Sequence, residues 1–76
     1  MEDKVKSIMA RVFKIDPSLI NDDTAPGNVN GWDSLKQMSL IAAFEDEFDI
    51  QIDDDEMQEM INYRVIVAII KTYLED

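Results

Sequence analysis

Seventy-six residues make one domain at most, and the chain has no cysteine, so no disulfide and no cysteine nucleophile is available. Seventeen acids against seven bases leave a net charge of −10, a field that repels nucleic acid and anionic membranes and attracts basic protein surfaces. With no histidine, neither a Ser-His-Asp nor a Cys-His arrangement can be assembled, which argues against a serine hydrolase.

A hydrophobic content of 46% predicts a folded domain rather than disorder. The longest purely apolar run, Val65 to Ile70, falls far short of the ~20 residues that span a bilayer. Residues 1–15 carry Glu2, Asp3 and Arg11 among their apolar positions and show no signal-peptide core, so a cytoplasmic location is expected. Charge is uneven: residues 1–14 have a net +2, while residues 15–76 hold fifteen acids against Lys36, Arg64 and Lys71.

Helical periodicity dominates from the start. Val5, Ile8, Met9, Val12 and Phe13 form one stripe of a first helix, expected to stop near Ile15 because Pro17 disfavours helix at Asp16. Residues 16–33 follow as a long connection rich in Pro, Gly, Asn and Asp, with Leu19 and Ile20 expected to pin it to the core. Helix–helix loops usually run about 2–8 residues, so this length suggests a functional loop.

The second helix is predicted to begin after Asp33, a good N-cap residue, and to close at Phe48. Leu35, Met38, Ile41 and Ala42 are read as its stripe. Leu40, Ala43 and Phe44 widen it, so this helix is expected to be the most buried. Residues 49–52 form an extended link. Asp53, Asp54 and Asp55 open a short third helix through Met60, their charges favourable at its N-terminus. Asn62 is a break or cap. Residues 63–74 make the last helix, with Ile66, Ile69, Ile70 and Tyr73 at core spacing. The fold class is therefore all-α: a single domain over 1–76, a small four-helix bundle of three longer helices and one short, with a long loop after the first.

Metal chemistry finds little support. Placing Asn28, Asn30 and Gly31 at EF-hand positions puts Pro26 and Gln37 where carboxylates are required, and the motif fails. The run Asp53 to Glu56 reads better as a solvated helix start than as a cation site. No catalytic residue and no metal ligand is assigned. Met38, Met57 and Met60 lie at core spacing, where they serve as adaptable filler and offer a core that could open around an apolar guest. Ser34 stands out: with Asp33 already capping, it takes the first helical position with its hydroxyl toward solvent. The unpaired N–H groups and partial positive charge of a helix start favour an attached anion there.

Asp33-Ser34-Leu35 after a long loop, in an acidic four-helix chain of this length, resembles the acyl carrier protein family. The likeness covers essentially the whole chain, including Glu45-Asp46-Glu47-Phe48 at the end of the second helix and Ile52 before the Asp53 to Glu56 entry to the third. It implies that Ser34 bears covalent 4′-phosphopantetheine, that Asp33 and Leu35 support the motif, and that acyl groups ride as thioesters on the cofactor's thiol. It implies a phosphopantetheinyl transferase as one partner, with Asp33 contacting it and its metal. Acyl-loading and acyl-processing enzymes with basic surfaces would meet Leu35, Lys36, Met38, Glu45, Asp46 and Glu47. The chain would then be a monomeric carrier and not an enzyme. Lys36 and Ser39 stand where fatty-acid-synthesis carriers usually show acids, and Trp32 is less typical of those carriers. Trp32 in that place is similar to carriers dedicated to one pathway, such as those of modified polysaccharide, lipid or secondary-metabolite synthesis. The alternative is a cofactor-free acidic helical interaction module.

Overall fold

The computed structural model describes residues 1–29 and 31–74. They form α1 (Glu2–Phe13), α2 (Ser34–Phe48), α3 (Asp54–Glu59) and α4 (Tyr63–Leu74), with no strand among the described residues. This is the expected all-α arrangement of three longer helices and one short. Two single-turn 3-10 segments, Pro17–Leu19 and Pro26–Asn28, lie within the long connection between α1 and α2.

The stripe of α1 is placed as read: Val5, Ile8, Met9 and Phe13 are buried and Val12 is half-buried. The helix ends at Phe13, two residues before Ile15. Lys14 turns into the left-handed region at φ 58°, and the N–H groups of Lys14 and Ile15 both donate to the Ala10 carbonyl. That cap satisfies the last turn before Pro17 can act on it.

Three residues fasten the long connection, and only one of them was expected. Ile20 is buried, but Leu19 is 63% exposed and does not pin the loop. Thr24 is buried instead; its hydroxyl accepts from the Asn21 N–H at 2.8 Å and its carbonyl from the Tyr63 N–H at 2.9 Å, tying the loop to the start of α4. Trp32 is the third, with its ring centroid 4.9 Å from that of Phe13. Near Pro17, Asp16 accepts from the Ser18 N–H at 2.9 Å, and the bonds from Ser18 hold its carboxyl below the usual range.

The bounds of α2 match the reading, but its buried face does not. Leu40, Ile41 and Phe44 are buried, with Gln37, Ala43 and Phe48 half-buried. Leu35 and Met38 are 76% and 65% exposed, and Ala42 is exposed as well. The helix carries apolar residues on two sides, and α1 packs on the side of Leu40 and Phe44. Nor is α2 the most buried helix: it buries three residues, against five in α1 and four in α4, because one apolar face is left to solvent.

Short caps position the remaining elements. Asp49 turns left-handed at φ 54°, and its N–H closes α2 on the Glu45 carbonyl. α3 is shorter than expected, with Asp53 at its N-cap and Met60 beyond its end. The Tyr73 hydroxyl accepts from the Asp53 N–H at 3.2 Å and donates to Glu56, which holds α3 against α4. Asn62 is a cap, its side-chain oxygen accepting from the Val65 N–H at 2.8 Å. Val5, Ile8, Met9, Leu40, Phe44, Met60, Tyr63, Ile66 and Ile70 fill the centre and are essentially inaccessible to solvent. Full burial of side chains this size contributes about 1.5–3 kcal/mol each before conformational entropy is set against it.

Candidate functional site at the start of the second long helix

The site begins with the cap. Asp33 is extended, and its Oδ1 accepts from the Lys36 N–H at 2.9 Å while its carbonyl accepts from the Gln37 N–H at 2.8 Å. Gly31, at φ +83°, makes the turn that delivers Trp32 inward and Asp33 onto the helix axis; a side chain at that φ is strained. Ser34 then occupies the first helical position and is exposed. Asn30, part of the expected loop, lies outside the described residues.

Beside Ser34 lies an open groove of about 430 Å³, lined chiefly by apolar surface from Pro26, Trp32, Met38, Met57 and Ile61. Gln37 forms part of its wall. The Gln37 side chain accepts from the Trp32 indole N–H at 2.7 Å and donates to the carbonyls of Met57 and Met60 at 3.0 and 2.9 Å. Trp32, the first turn of α2 and the end of α3 are thereby one hydrogen-bonded unit. Sequence reasoning missed Gln37. Its signal was available: Gln37, Leu40, Ile41, Phe44 and Phe48 follow helical spacing, and Gln37 is the polar member of that line.

The expected partner residues separate into three groups. Leu35 and Met38 stand out as exposed apolar side chains next to Ser34, joined by Ile61 at 53% exposure. Asp46 and Glu47 are exposed. Two others are engaged within the molecule. The Lys36 ammonium donates to the Val12 carbonyl at 3.3 Å, near the end of α1. Glu45 accepts from the Ile52 N–H at 2.8 Å and fixes the link after α2. Met38, expected in the core, is solvent-facing, while Met60 is buried and Met57 half-buried. No cluster of three acids that could hold a metal occurs among the described residues, and none of their helices is long and apolar enough to cross a membrane.

The arrangement suits an anionic group joined to Ser34 through its oxygen. The hydroxyl is accessible, and the helix start supplies N–H donors and partial positive charge. The carboxylate of Asp33 is turned onto the Lys36 N–H. An extended, uncharged arm leaving Ser34 meets the apolar groove. These residues fit a phosphopantetheine group.

Comparison with known proteins agrees. A family model described as a phosphopantetheine attachment site matches residues 3–71. The chain is similar to an acyl carrier protein of Buchnera aphidicola, 36% identical over 75 residues, covering 97% of this chain and 95% of that one. It is similar to an acyl carrier protein of Clostridium acetobutylicum, 35% identical over 74 residues, covering 97% and 96%. In three dimensions it resembles the solution NMR structure of holo acyl carrier protein from Geobacter metallireducens, with a TM-score of 0.83 and 25% identity over 93% of this chain and 82% of that one.

Proposed function

The chain belongs to the acyl carrier protein family, and on that premise we propose that Ser34 is the residue to which 4′-phosphopantetheine is joined. The family carries cargo rather than catalysing reactions, and phosphopantetheine is its cofactor. When attached, that group supplies the thiol this cysteine-free chain lacks and holds acyl cargo as a thioester.

The observation that carries the proposal is the position of Ser34: first in α2, exposed, directly after a cap residue, and at the edge of an apolar groove. Each neighbour has a part. Asp33 fixes the first turn and so the place of Ser34 on the helix. Trp32 and Gln37 form a rigid wall beside it. Leu35, Met38 and Ile61 offer an apolar surface to enzymes that must reach the cargo, with Asp46 and Glu47 as acidic contacts further along α2. Lys36 and Trp32 support service in one dedicated pathway of lipid, polysaccharide or secondary-metabolite synthesis. Tethering replaces diffusion of cargo by a high effective concentration at the partner.

The test is intact-protein mass spectrometry after incubation with coenzyme A and a phosphopantetheinyl transferase. Wild type should gain one phosphopantetheine and Ser34→Ala none, with unchanged melting, since an exposed hydroxyl contributes little to stability. Modification at Ser7, Ser18 or Ser39 would overturn the assignment.

A further inference from the structure

Ser34 and Gln37 lie one turn apart on α2 and both face the groove. A chain tethered at Ser34 that is to enter the bundle from this groove must part α2 from the end of α3. Gln37 closes that passage. Its carbonyl oxygen holds the Trp32 indole N–H at 2.7 Å, and its amide nitrogen holds the Met57 and Met60 carbonyls at 3.0 and 2.9 Å. An amide of this type has two N–H donors and one oxygen, and all three are used. Behind it Leu40, Phe44, Met60 and Ile66 have no exposed surface.

We propose that Gln37 is a specificity residue that keeps the α2–α3 seam shut, so that long alkyl cargo is barred from the bundle interior and the carrier is fitted to short or polar acyl and aminoacyl groups. This rests on Ser34 as the attachment point. An alkyl chain forced through the seam strands the Gln37 amide, the indole N–H and the Met60 carbonyl, and has no donor or acceptor to offer them, while the Met57 carbonyl keeps the Met60 N–H. Each polar group stranded offsets the gain from burying roughly one to three methylenes. The groove itself is open, with Gln58 and Asp33 among its lining residues. Short acyl groups can rest on its apolar floor, and polar cargo keeps its water.

The experiment loads the wild type with acetyl, butyryl, octanoyl and dodecanoyl phosphopantetheine from the matching acyl-coenzyme A, verifies each by mass, and measures melting. Wild type should show a melting temperature flat to within about 2 °C across the series. Gln37→Leu, with the latch removed, should show one that rises with chain length. A fully buried methylene is worth about 3–6 °C in a domain this size. A wild-type melting temperature that climbs by such steps overturns the proposal. So does a Gln37→Leu series as flat as the wild type, since the barrier would then lie elsewhere. Should Gln37→Leu not fold, Gln37→Met keeps the unbranched stem, and the wild-type series decides by itself. Stability of the unloaded variant reports only structure; the slope with chain length reports the barrier. Absence of any mass gain at Ser34 would remove both readings, and the spectrum distinguishes that outcome from a failure of Gln37 alone.

Discussion

Asp33 and Lys36, both within two positions of Ser34, each make a structural bond beside the role expected of them. Asp33 caps α2 through the Lys36 N–H. Asp33→Ala should lower stability by about 0.5–2 kcal/mol, read from denaturant unfolding. It should also slow transfer of phosphopantetheine to Ser34 under conditions where the variant is still folded; unchanged transfer kinetics would make the acid purely structural. The Lys36 ammonium lies on the Val12 carbonyl, where the end of α1 is partially negative. Lys36→Glu puts a carboxylate in that place, and stability should fall by about 0.3–1 kcal/mol in low salt. A Lys36→Glu protein as stable as wild type would show that the side chain is free for partners alone. Any change in partner choice by Lys36→Glu must therefore be read beside its melting curve.

At the scale of the helices, two tyrosines of α4 act as ties. Tyr63 is buried, donates to Glu2 of α1 at 3.1 Å, and has the Lys6 ammonium 5.6 Å from its ring centroid. Burial, then the bond to Glu2 and its charge, push the Tyr63 hydroxyl up to about 12. The neutral form is therefore favoured by folding, and its contribution is fully present below the unfolded value near 10. It is lost as pH rises through about 12. Stability should fall by roughly 1–3 kcal/mol over that window beyond what exposed tyrosines give. Tyr63→Phe should remove the fall, and tyrosinate absorbance followed together with circular dichroism checks it. Tyr73 holds α3 through Asp53 and Glu56, and the bond to Glu56 raises its pKa as well. Tyr73→Phe should speed amide exchange in α3 while leaving α1 unchanged. Equal acceleration in both helices would mean that α3 is held by packing rather than by this hydroxyl.

The whole molecule carries a large excess of one sign. Fifteen acids against three bases after residue 14 imply self-repulsion in the compact state, with Asp53 to Glu56 the most crowded run. Favourable charges at the start of α3 return only about 0.3–1 kcal/mol each. Added monovalent salt should therefore raise the melting temperature at neutral pH, and millimolar Mg²⁺ or Ca²⁺ should raise it further by sitting between carboxylates without a formed site. A melting temperature flat in both titrations would mean that the acids are well solvated and matter only to basic partners. Binding to such partners should weaken with salt, since exposed charges are screened over about 8–10 Å.

Local signals in the chain were enough for the long helices and for the exposed serine proposed as the attachment point. Helical spacing in residues 5–13 and 63–74, the cap residues Asp33 and Asn62, and the breaks around Pro17 and Pro26 act over a few residues each, so they are legible one after another. Ser34 at a capped helix start is a local feature of the same kind. The choice between the two apolar sides of α2 was not, because periodicity marks both sides and only the packing of the other elements selects Leu40, Ile41 and Phe44 and leaves Leu35 and Met38 outside. Thr24 in place of Leu19 as a loop anchor, Glu45 bound to Ile52, and Lys36 on Val12 depend on partners that helix spacing does not announce. The Gln37 latch is the clearest instance: three hydrogen bonds join the loop, α2 and α3 across up to 23 positions, and distances in space, not intervals along the chain, decide which polar group on a buried face finds a partner.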